Sequence, residues 1–186
     1  MNKHRSINKL YASQMKTALD KILTVSPWVM FISIMFIAIL AETYIGFLFM
    51  FAWIGLFTYW TIRVGEELHS RLEDQSILNL KRFKYQIAFV IIYFLTTIYF
   101  GGYLVTTENY IEYGWLVWII IPFHLIFMFF IFHTIYFLSK CITTLRNKQE
   151  VVLLYMIGFW VFPIGIWIIQ PRIIELIKIK PAYNNG

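Results

Sequence analysis

The chain has 186 residues, 60% of them hydrophobic and 20% aromatic, with a mean hydropathy of +0.67. Soluble domains run at about 45–50% apolar residues, so an excess gathered into long runs points to the core of a bilayer as the surrounding medium. The net charge of +6 would suit nucleic acid in a soluble protein. Here the basic residues flank apolar runs and form no separate stripe, so no nucleic acid is expected and anionic lipid headgroups are the expected partner.

In residues 1–26, Ile7, Leu10, Tyr11, Met15, Ala18, Leu19 and Ile22 recur at helical spacing. Lys9, Ser13, Lys16, Asp20 and Lys21 fall largely on the other side. The pattern predicts a basic amphipathic helix on the cytoplasmic face, either lying in the lipid interface or packed on its own bundle. The first apolar run begins only near Pro27 and no small-residue cleavage site follows it, so no secretory signal peptide is expected.

Residues 27–180 read as an all-α, polytopic transmembrane bundle of four to five spans, with 181–186 as a tail. Ser26-Pro27 opens the first helix, as a cap followed by proline in the first turn. The apolar stretch 27–62 would form a helix of roughly 54 Å, against a hydrocarbon core of about 30 Å. It is therefore expected to fold back at "AETYIG", where Glu42 interrupts the run, giving spans at 27–41 and 44–64. Val64, Leu68 and Leu72 keep a four-residue stripe beyond the second span, and Glu67 with Arg71 makes an i,i+4 pair. Further spans are expected at 86–105 and 115–138, the latter with a kink at Pro122. The last apolar run, 151–169, is broken by Pro163 and Gly165, and either crosses with a kink or dips in and returns. A short interfacial helix is expected after Pro171.

All 16 Lys and Arg residues fall in the N-terminal segment, the loops after the second and fourth spans, and the C-terminus. The remaining two connections have none, which predicts a cytoplasmic N-terminus by the positive-inside rule. Crossing by 151–169 would export Arg172, Lys178 and Lys180; a re-entrant path would keep every cation on one side.

Few residues suggest chemistry. Cys141 is the lone cysteine, so no internal disulfide can form. Glu66 and His69 have the Glu-x-x-His spacing of di-metal bundles, but no second copy exists. A solvated helix face is expected there, and neither metal nor cofactor is expected anywhere. His124 and His133 stand on opposite faces of the fourth span and are candidate intramembrane polar residues with Thr96, Thr97 and Glu42. Inter-helix hydrogen bonding is the plainer role for the histidines, and interfacial exposure for Glu42. Arg172 is a candidate contact for a lipid phosphate, or else a flanking residue that snorkels. Phosphate-binding glycine loops, nucleophile elbows and zinc motifs do not occur, and no catalytic residue is expected.

The segments "IIPFHLIFMFFIFHTIYFLSKCI" (120–142) and "IGFWVFPIGIWIIQPRI" (157–173), and more loosely "GEELHSRL" (65–72), resemble a group of uncharacterised small multispanning bacterial membrane proteins. The resemblance implies a shared bundle in a bacterial cytoplasmic membrane and carries over no site. The group has a longer outer loop between its first two spans than the few residues here. A non-enzymatic membrane component, such as a subunit with a membrane-protein partner or a homo-oligomer, is the expected function. A pore or transport element is the alternative, and a lipid-active enzyme is least favoured. A polar seam of Thr43, Thr96, Thr97, His124 and His133 around one cavity would favour transport; a sealed aromatic core would favour the first reading.

Overall fold

A computed structural model describes residues 21, 23–40, 43–106, 116–146 and 151–178. Among them the fold is all-helical: α1 (Pro27–Leu40), α2 (Tyr44–Ser70), α3 (Leu80–Thr106), α4 (Leu116–Leu145), α5 (Val152–Trp160) and α6 (Phe162–Lys178), with no strand. Two of these, α2 and α4, are long and apolar enough to cross a membrane. The expected amphipathic N-terminal helix falls almost wholly outside the described residues.

Local chemistry sets the helix ends. Pro27 needs no partner for a backbone N–H, and the Ser26 carbonyl accepts from Val29 N at 3.0 Å. Thr43 then turns the chain over: its hydroxyl accepts from Gly46 N at 2.9 Å and donates to the Leu40 carbonyl at 2.8 Å. A Cβ at Gly46 would fall on that carbonyl, so the tight α1–α2 turn requires glycine there. Asn79 caps α3 by accepting from Arg82 N at 2.9 Å. In the α2–α3 connection, Asp74 accepts from the Ser76 N–H and O–H, which hold its carboxyl below the usual range.

Pairings fix the directions. Trp53 donates to Ser33 Oγ at 3.1 Å and Phe36 packs on Phe49, so α1 and α2 are antiparallel. Phe83 with Phe137, Phe89 with Phe130, and Tyr93 with Phe127 make α3 and α4 antiparallel. A Cβ at Gly65 would meet the Phe83 ring, which sets α2 against α3. The basal end of the bundle is therefore where α2 and α4 finish and α3 begins.

Residues 151–169 do not form one helix. The chain breaks at Val161 (φ −92°, ψ 48°), and α5 and α6 lie antiparallel. Their approach at Gly158 and Gly165 is so close that a Cβ on Gly165 would fall on the Gly158 carbonyl oxygen. Trp160, the last residue of α5, stacks at 4.6 Å on Phe132 midway along α4, and Phe162, the first of α6, meets Phe57 midway along α2 at 4.7 Å. From there α6 returns: Arg71 Nη1 donates to the Leu176 carbonyl at 3.0 Å. Both ends of the α5–α6 hairpin thus lie at the basal end.

Two expectations need correction. No separate helix follows Pro171, because α6 runs through it to Lys178. Ile166, Ile169 and Ile173 are almost wholly buried on one face of α6, worth roughly 1.5–3 kcal/mol each, against about 3 kcal/mol for an interior proline. Nor does His69 sit on a solvated face. It is 7% exposed, and its Nε2–H reaches the carbonyls of Leu78 at 2.8 Å and Gln75 at 3.2 Å, clamping the α2–α3 connection.

The core lies toward the basal end: Val64, Leu68, Phe83, Phe137, Ile142, Ile169 and Ile173 are buried there. Distal residues are open, with Ile39, Tyr44, Tyr99 and Trp118 each more than 70% exposed.

Candidate functional site

Above the basal core the α1–α2 and α3–α4 hairpins part around a cavity of about 510 Å³. Its wall is built from aromatic and branched side chains at helical spacing. Trp53, Phe57 and Trp60 come from α2, Phe94 from α3 and Phe127 from α4. Trp53 stacks on Phe57 at 5.1 Å and Phe57 on Trp60 at 5.7 Å, a continuous aromatic stair. Phe162, at the tip of the α5–α6 hairpin, also joins the wall and packs against Phe57 and Trp60. At the basal side Trp60, Ile87, Leu138 and Phe159 are buried, while Trp53, Phe94 and Phe127 are half-buried, so the cavity closes basally and opens distally.

Polar side chains on the wall are few: Thr58, Thr61 and Thr134, with the indoles of Trp53, Trp60 and Trp160. Thr61 bonds back to the Phe57 carbonyl at 2.8 Å, whereas Trp60 Nε1 and Thr134 Oγ1 are buried without a hydrogen-bond partner. Such a wall can hold an apolar chain but offers no acid–base pair.

The residues singled out in the sequence do not assemble around this cavity. His124 Nδ1 lies 3.3 Å from the Tyr93 hydroxyl on α3 and is exposed. His133 packs between the rings of Phe129 and Tyr136, with Nδ1 buried and unbonded. Thr96 and Thr97 donate to the carbonyls of Ile92 and Tyr93 in their own helix, and Thr43 is consumed by the α1–α2 turn. Arg172 is exposed enough to pair with Glu175 across one turn at 3.6 Å. Glu42 lies outside the described residues. Among the described residues no group of three metal-ligating side chains occurs.

Two amides that sequence reading passed over are deeply placed. Gln170 is wholly buried and its Nε2 donates to the carbonyls of Leu23 at 3.0 Å and Val25 at 2.9 Å. In a continuing helix the Leu23 carbonyl would take the N–H of residue 27, which Pro27 lacks, so α6 supplies the donor. Gln86, 3% exposed, has neither amide atom bonded. The available signal was simple: each is a lone amide at the edge of an apolar run. The chain matches no protein-family model, and no curated protein or solved structure matches it either.

Proposed function

We propose that this is a multi-pass protein of a bacterial cytoplasmic membrane. In this reading α1 to α4 cross the bilayer, and α5–α6 enters from the cytoplasmic side and returns. The protein acts there as a non-enzymatic membrane component that holds an apolar lipid chain in its central cavity. The observation that carries this reading is the cavity of about 510 Å³, a volume usual for small-molecule sites, with an almost wholly carbon wall opening among exposed apolar side chains. The described cations support the orientation: Arg71, Lys81, Lys140 and Arg172 all lie toward the basal end, as the hairpin geometry and the positive-inside rule require together. α1, at 14 residues, would be about 21 Å long and is accommodated by local thinning of the bilayer. A transport role is less favoured because Thr96, Thr97 and His133 do not line the cavity.

The test is a full-length variant that keeps Trp53 as its only tryptophan, reconstituted in vesicles whose lipids carry bromine on the acyl chain. Strong quenching of Trp53 is expected, and bulky filling of the cavity by Ile91→Trp in a tryptophan-free variant should reduce copurified lipid. Absence of quenching overturns the cavity reading; purification as a soluble monomer without detergent overturns the membrane itself.

A further inference from the structure

On the opposite face of the α3–α4 pair is a second hollow, of about 540 Å³, lined by Asn79, Lys81, Arg82, Tyr85, Gln86 and Phe89, with Phe130 across from them. We propose that this hollow binds an anionic phospholipid of the cytoplasmic leaflet, phosphate at Arg82 and Lys81 and chain along Phe89 and Phe130; it rests on the membrane reading above.

Three observations converge. The first is Gln86. A buried primary amide with both polar atoms unbonded is unfavourable, because it loses its bonds to water and gains none in return, and it lines this hollow. A ligand that brings oxygen acceptors would satisfy Nε2, and a headgroup hydroxyl or an accompanying water would satisfy Oε1. The second is the order of groups along α3. Lys81 and Arg82 come first, Gln86 follows roughly 6 Å further along the axis from Arg82, and Phe89 lies about 4–5 Å beyond that. Charge, polar ester and hydrocarbon follow one another in the same order in a phospholipid, whereas a free phosphate has no use for the aromatic floor. The third is level. Gly65 faces Phe83, so the antiparallel register sets Gln86 beside Ile62, where the apolar run of α2 gives way to Arg63, Glu66 and Glu67. That is the depth of the glycerol esters if the apolar run spans the hydrocarbon.

The neighbouring charges leave the hollow cationic. Lys84 and Arg63 are engaged with Glu66, and Arg71 with Glu67, so these carboxylates are already neutralised. Lys81 and Arg82 are exposed at the mouth, and Lys81 leans over the Tyr85 ring at 6.0 Å.

The experiment uses the full-length protein in a neutral detergent, with thermal unfolding followed during titration by dioctanoyl phosphatidylglycerol, dioctanoyl phosphatidylcholine or inorganic phosphate. Phosphatidylglycerol should raise the melting temperature most. Arg82→Gln should weaken its half-saturation about tenfold or more, as loss of a charge-assisted contact does. Gln86→Leu should melt higher than the parent without lipid, since an unmet amide is removed, yet lose most of the lipid response. Arg172→Gln, also basal and cationic but outside the hollow, should respond like the parent. Equal protection by inorganic phosphate, an unchanged response in Arg82→Gln and Gln86→Leu, or an equal loss in Arg172→Gln would each overturn the proposal while leaving the membrane reading intact. Recovery of the chain without detergent would overturn both.

Discussion

Single residues decide how closely these helices approach. Gly165 is the sharpest case, because its missing side chain is what lets α5 and α6 touch at Gly158. Gly165→Ala is expected to destabilise the fold by about 1–3 kcal/mol, the usual range for overpacking a tight contact. Gly55→Ala, where an added Cβ meets nothing within 4 Å, should be neutral or slightly stabilising, since alanine is the better helix former. Thermal melts of both variants in detergent check the pair; equal effects would show that the hairpin is not held by that contact. At this scale the sequence was partly legible. The Glu67–Arg71 pair was readable from spacing and is present at 2.6 Å. The burial of His69 was not, because it depends on carbonyls from Gln75 and Leu78 in the connection that folds over it. The same holds for Gln170, whose acceptors lie about 145 positions earlier in the chain.

Elements show where pattern reading succeeds and where it stops. The break between α1 and α2 falls in the stretch marked by Glu42 and Gly46, since a glycine beside a threonine cap carries the information locally. The outcome at 151–169 was open, because Pro163 and Gly165 announce a break but not its angle. The angle is decided by what the two arms touch: Phe132 for α5, Phe57 and Trp60 for α6. Pro171 misled for a related reason, as a buried isoleucine face can carry a helix across a proline. In a Cys141→Ala background, Val151→Cys and Lys178→Cys in vesicles should react with a membrane-impermeant maleimide from the same side as Lys81→Cys. Labelling of the first two from opposite sides would overturn the re-entrant path proposed for the α5–α6 hairpin in favour of a full crossing.

For the whole molecule, the proposed membrane placement accounts for the contrast between a packed basal half and an open distal half. In that reading hydrocarbon gives the distal apolar side chains no reason to leave it, whereas water at the basal end would drive them together. Phe137→Ala, 1% exposed in the core, is expected to lose about 3–5 kcal/mol. Leu125→Ala, 65% exposed on the same helix, should stay within about 0.5 kcal/mol. Equilibrium unfolding in mixed micelles measures both, and comparable losses would mean that the distal face is packed against another copy or a partner.

Helical character, the positions of the turns and the gathering of cations at the ends of apolar runs are written in local pattern, because they depend on neighbours within one or two helical turns. The two cavities, the returning α5–α6 arm and the bonding or idleness of Gln170 and Gln86 are not. Each needs helices distant in sequence to meet at one depth, and that meeting is set by side-chain fit across the bundle.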